Sequence, residues 1–164
     1  MALTINQMLA TLLQALADEI AAAGKEEDYC TVTVQPGSAV AIDFGPESGC
    51  GGTAWVQLVG ANPSVSFPSA DVGVNNCAYD LAFVVEVGMV GPAPGMDVTL
   101  GQYTVPEDTE LFDASMRQMD ELQMMYRAIQ KAKIPEKVVG SYAPQGPDGG
   151  VLGGVWTVTV GGED

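Results

Sequence analysis

Apolar residues in this chain recur at intervals of three and four, then of two, then of three and four again, and finally of two. This switching of period constrains the fold more than any single motif, because each period belongs to one kind of element. Ile5, Met8, Leu9, Leu12, Leu13, Leu16 and Ile20 predict a helix over 4–23. Thr4 with Gln7 opens it as a capping box, and Gly24 closes it because glycine enters the left-handed region without a Cβ clash. Tyr29 to Val34 then sets Cys30, Val32 and Val34 on one side and Tyr29, Thr31 and Thr33 on the other, the pattern of a half-buried strand. Past the Pro36-Gly37 turn, Val40, Ile42 and Phe44 form the inner face of a second strand over 39–44, and a third is expected over 53–59. The longest candidate covers 77–90, with Tyr79, Leu81, Phe83, Val85, Val87 and Met89 on one face and Asp80 and Glu86 opposite.

The helical period returns over 107–131. Pro106 suits a first turn, and Glu107, Asp108 and Glu110 complement the positive end of the helix dipole. Phe112, Met116, Met119, Leu122, Tyr126 and Ile129 form the expected core stripe, widened by Leu111 and Met125. Arg127, Lys131 and Lys133 gather at the other end, and Pro135 stops the helix. Residues 139–154 read as a Gly/Pro-rich loop, and a last strand over 155–160 aligns Trp156, Val158 and Val160. The order of helix, four strands, helix and strand predicts one α+β domain over 1–164, with a mostly antiparallel sheet of about five strands. The segments 60–76 and 91–105 are left as long connections, of the kind that carry function.

The chain offers little chemistry. It has no histidine, which removes the commonest general base and metal ligand. Cys30, Cys50 and Cys77 lack zinc-type spacing; they read as small buried hydrophobes, although Cys50 and Cys77 come close if their strands pair. The glycine-rich stretches at 50–52 and 149–154 lack phosphate-cradling patterns, and no calcium loop is present. The carboxylate pairs Glu26/Glu27 and Asp120/Glu121 read as solvated. The methionines Met116, Met119, Met124 and Met125 read mostly as core, with an adaptable binding surface as the other possibility. No catalytic residue, cofactor or metal site is expected.

Acidic residues outnumber basic ones by 21 to 6, and five of the six cations (Arg117, Arg127, Lys131, Lys133 and Lys137) lie within 117–137. That balance excludes a protein that grips nucleic acid by its phosphates. The apolar runs are too short for a membrane span and MALTINQ has no basic start, so a soluble cytoplasmic protein is expected.

The segments DYCTVTVQPG, CGGTAWVQLVGANPS, CAYDLAFVVEVGMV, MRQMDELQMMYRAI and GGVLGGVWTVTV, in this order over roughly 28–160, resemble a tail terminator of long-tailed actinobacterial phages. The resemblance implies a structural virion protein at the head–tail junction, assembled in the host cytoplasm. Its copies would form a homo-hexameric ring that caps the tube of major tail protein, ends its growth and meets the head-side stopper or connector. Double-stranded DNA would pass through the lumen without specific binding. No membrane is involved and no catalytic residue carries over. A head–tail stopper or adaptor of the neck, or an acidic cytosolic interaction module docking through its Met-bearing helix, are the alternatives. Contacts to tube or neighbour are expected from Val65, Phe67 and Pro68 and from Pro92, Pro94 and Met96; Phe67 either anchors a partner or folds back on its own domain. Glu107, Asp108, Glu110 and Asp113 are candidates to line the lumen, where like charge would repel DNA phosphates.

Overall fold

A computed structural model describes residues 3–37, 39–40, 51–70, 80–97, 102–147 and 150–162. Its order is α1 (Ile5–Ala22), β1 (Tyr29–Gln35), β2 (Gly52–Ser64), β3 (Asp80–Pro92), β4 (Met96–Asp97), β5 (Gln102–Tyr103), α2 (Asp108–Lys131), β6 (Lys137–Gln145) and β7 (Val151–Gly162). Five strands form one sheet in the order β1-β2-β3-β7-β6; β4 and β5 form a separate two-stranded piece. The β1–β2 pair is parallel and the other pairs of the large sheet are antiparallel. This is the α+β fold that the periodicity predicts.

Both helices pack on one face of the sheet. Met8, Leu12, Leu16 and Ile20 of α1 meet Ala54 and Val56 of β2, Val85, Val87 and Met89 of β3, Val158 and Val160 of β7, and Met124, Met125, Ala128 and Ile129 of α2. Thr4 and Gln7 exchange the two bonds of a capping box. At the other end Gly24 takes φ +67 and Lys25 N–H closes onto Ile20. One clamp joins the two helices and a second closes the end of α2. Buried Glu19 of α1 accepts from Arg127 (2.9 Å) and from Lys131 of α2, and these cations hold its pKa below the ordinary carboxylate range. Lys137, just past α2, donates to the carbonyls of Ile129 (2.7 Å), Gln130 (3.0 Å) and Ala132 (2.5 Å), satisfying the negative end of the helix. The opposite face of the sheet centres on Trp55, only 2% exposed, which packs with Val90 and Val155. Its indole lies flat over Gly88, where a Cβ would fall 2.2 Å from a ring carbon.

Several boundaries differ from the sequence reading. The expected loop after residue 59 begins as strand, because a register shift between Leu58 and Gly60 lets β2 continue against β3 as far as Ser64. The loop expected over 139–154 instead holds β6 and the start of β7; Pro144 is tolerated because β6 is an edge strand. The turn expected at 91–95 starts later, since Gly91 and Pro92 still pair with Leu152 and Val151. Within 91–105 the small β4–β5 ladder forms. Pro106 stands before the N-cap Glu107 rather than in the first turn. The expected strand over 39–44 lies outside the described residues except for 39 and 40, which are not strand.

In β1 the expected sides are partly reversed. A register irregularity between Tyr29 and Thr31 turns Tyr29 into the core (5% exposed) and leaves Cys30 exposed. Cys30 is also disulfide-bonded, so its reading as a small buried thiol fails; Cys50 and Cys77 lie outside the described residues. Reduction of the denatured chain should therefore raise the number of cysteines open to alkylation, Cys30 among them. Three labels without reduction would refute the bond.

Candidate interaction surface

The main correction concerns α2. The core side of this helix consists of Ala114, Glu121, Met124, Met125, Ala128 and Ile129. Most of the expected core stripe faces outward: Phe112 is 62% exposed, Met116 45%, Met119 44%, Tyr126 42% and Leu111 44%. On a helix turning about 100° per residue, Phe112, Met116, Met119 and Tyr126 fall within roughly 60° of one line. That line runs opposite Ala114, Glu121 and Ala128. The helix thus has two apolar faces, one buried and one uncovered.

Trp156 of β7 extends the uncovered face. It donates from Nε1 to the Leu122 carbonyl (3.1 Å) and stacks with Tyr126 and Tyr142, ring centroids 5.4 and 5.8 Å away. Leu122, Gln123, Tyr126, Arg127 and Trp156 enclose a shallow groove of about 440 Å³. Its lining is mainly apolar, with Arg127 at the rim. The reading of the methionines divides accordingly: Met124 and Met125 are core, whereas Met116 and Met119 belong to this surface.

Glu121, expected to be solvated beside Asp120, is completely buried. Tyr29 Oη donates to its Oε1 at 2.5 Å, and Arg117 Nε lies 3.4 Å from the same oxygen. Arg117 is anchored in turn by donating to the Leu152 carbonyl (3.1 Å). Glu121 Oε2 and Arg117 Nε have no hydrogen-bond partner among the described residues. Burial pushes the Glu121 carboxyl up to about 7 despite the opposing effects of Tyr29 and Arg117, and burial with the neighbouring Glu121 charge raises the Tyr29 phenol as well. A cleft of about 330 Å³ lined by Lys25, Asp28, Tyr29, Gly52, Pro92 and Arg117 lies beside this cluster. A signal for Glu121 existed in the sequence: it is in phase with Ala114, Met125 and Ala128. Its partner Tyr29, however, is 92 positions away.

The contact residues expected from the loops divide into two groups. Val65 is 61% exposed, Pro68 is exposed, and the half-buried ring of Phe67 lies 3.0 Å from where a Cβ on Gly161 would stand. Phe67 thus folds back toward β7 of its own chain. Pro92 and Pro94 are half-buried at the opposite end of β3, and Met96 is in β4. Because β3 runs from Asp80 to Pro92, the two groups stand roughly 40 Å apart at about 3.3 Å per residue, too far to make one contact. Glu107, Asp108, Glu110 and Asp113 are all exposed on the first turns of α2. The Glu110 carboxylate accepts from the Glu107 N–H at 2.8 Å. The Pro94-Gly95 turn reaches this end too, since a Cβ on Gly95 would meet Pro106 at 3.3 Å. One end of the domain therefore gathers Pro94 and the four carboxylates.

Among the described residues, no group of histidine, cysteine or carboxylate side chains could hold a metal ion, and no helix is long and apolar enough to cross a membrane. Searches with protein-family models and among curated proteins find nothing that matches the chain.

Proposed function

We propose that this chain is a structural subunit of a phage neck, a tail terminator whose copies close a ring on the end of the tail tube. The observation that carries this reading is the second apolar face of α2. A helix that buries Met124, Met125 and Ile129 while holding Phe112, Met116, Met119 and Tyr126 in water has a surface suited to another protein. The ordered run of segments that resembles terminators supports the same reading. So does the gathering of Glu107, Asp108, Glu110 and Asp113 at one end, where they would keep passing DNA from binding. Glu121 and Tyr29 are the pair with the most perturbed acidity, yet they are locked to each other inside the core, which suits a structural role and no catalytic one.

Native mass spectrometry and negative-stain imaging of the chain, alone and with isolated tail tubes, test the proposal. Six-subunit rings, or density capping one tube end, are expected. A chain that ignores tubes but binds portal-bearing heads is a stopper or adaptor instead. Neutralising Glu107, Asp108, Glu110 and Asp113 together is expected to slow DNA ejection; unchanged ejection and infectivity would remove these four from the lumen.

A further inference from the structure

We infer that the free chain covers the outer face of α2 with a second copy of itself, as an antiparallel two-fold pair centred on Met119. The inference goes beyond the terminator reading and does not depend on it. Its basis is the self-complementarity of the helix. Phe112 and Tyr126 lie seven positions on either side of Met119, and Met116 and Leu122 three positions on either side. A two-fold axis through Met119 therefore sets Phe112 of one copy beside Tyr126 of the other, and Met116 beside Leu122. Such a contact uses the same patch on both subunits and closes on itself.

Shape agrees with this register. The groove formed by Leu122, Gln123, Tyr126, Arg127 and Trp156 lies where the pairing delivers Phe112, the most exposed aromatic of the helix, at 62%. A projecting ring and a receiving groove thus sit at symmetric distances from one axis, the arrangement expected of a buried aromatic anchor.

Charge sets the orientation of the second copy. Two chains of net charge −15 repel each other over most of their surfaces. Four of the six cations, Arg127, Lys131, Lys133 and Lys137, lie at the C-terminal end of α2 or just beyond it, whereas Glu107, Asp108, Glu110 and Asp113 occupy its N-terminal end. Antiparallel pairing lays the end of each helix that carries Asp108 and Asp113 over the end of the other that carries Arg127 and Lys131, while Glu107 and Glu110, in phase with Ala114, turn away. Parallel pairing would stack like charge on like. Arg127 and Lys131 keep side-chain exposures of 48% and 66% while holding Glu19, so their outer surfaces remain open to a second carboxylate.

The test uses the full chain without tubes. Sedimentation velocity over a wide concentration range should show a reversible dimer. Phe112→Asp and Met119→Asp should each weaken it at least about thirtyfold, the effect of a buried anchor. Both positions are solvent-exposed in the monomer, so the loss should be accompanied by unchanged circular dichroism and by the melting temperature of the dilute, monomeric parent chain. Met119→Cys gives an independent readout: next to the axis it should crosslink to its own copy on oxidation, while Asp120→Cys, turned off the face, should not. A monomer at every concentration overturns the inference. So does a dimer that both aspartate variants leave intact, or a Met119→Cys chain that fails to crosslink. A chain that caps tubes but stays monomeric when free would sink the pair and leave the terminator reading standing. A dimer that ignores tubes would do the reverse.

Discussion

Glu121→Gln is expected to make the protein more stable at pH 8, by about 3 kcal/mol, and to change little at pH 5. The carboxyl titrates near 7 in the folded chain against an ordinary 4.5, so the folded state binds its proton more tightly than the unfolded state. The stability this group contributes is therefore complete below 4.5, declines as pH rises toward 7 and is lost above it. A shift of that size corresponds to about 3 kcal/mol at roughly 1.4 kcal/mol per unit. Glutamine keeps an oxygen for the Tyr29 hydroxyl at the position of Oε1 and never has to hold a charge out of water. Glu19 works in the opposite sense. Its pKa is lowered, so its contribution is present above 4.5 and fades only in more acid solution. The interval between pH 5 and pH 8 thus isolates Glu121. Urea unfolding of both chains at the two pH values checks it; parallel pH profiles would show that Glu121 is not the titrating group. Removing the side chain altogether, as in Glu121→Ala, should instead destabilise, because Arg117 and the Tyr29 hydroxyl would lose their shared partner.

The second large effect is expected on the other face of the sheet. Gly88→Ala places a methyl 2.2 Å from an indole carbon of Trp55, and that rigid ring is only 2% exposed, with little room to retreat. A loss of about 3 kcal/mol is expected from the overpacking. Trp55→Ala alone should cost about 3–5 kcal/mol, as buried tryptophans do. The double variant separates clash from general damage. With the indole gone the added methyl meets no ring, so the combined loss should be clearly smaller than the sum. Strict additivity, measured by denaturant unfolding, would mean that the two residues do not touch.

The elements that are legible in the sequence are those whose period is clean. The stripe of α1 with its Thr4 cap, and the run Leu81, Phe83, Val85, Val87, Met89 in β3, lie where their spacing places them. The failures have separate physical causes. β6 contains Gly140 and Pro144 and is followed by Gly146, residues that read as loop, but an edge strand needs fewer ladder bonds and accepts the first two. In α2 two apolar stripes compete, and the larger side chains suggest the wrong one as core. The buried face uses Ala114 and Ala128 and hides a carboxyl against Tyr29 from β1, a pairing that no local pattern displays. The groove at Tyr126 and Trp156 was hidden for the same reason, because its walls come from α2 and β7. Of the expected contact residues, Val65 and Pro68 are exposed as supposed, while Phe67 lies against its own β7.

The position of β7 bears on how the chain is made. Among the described strands this one is synthesised last, yet it sits between β3 and β6, with every residue from Val151 to Gly162 matched to one on β3. Until those residues clear the ribosome, the helices have no complete floor to settle on, and the long apolar flank of β3 lacks a neighbour. A message cut short before codon 151 would thus remove the middle of the sheet rather than trim its margin, and its product should be met by chaperones and proteases instead of accumulating as a shorter folded form.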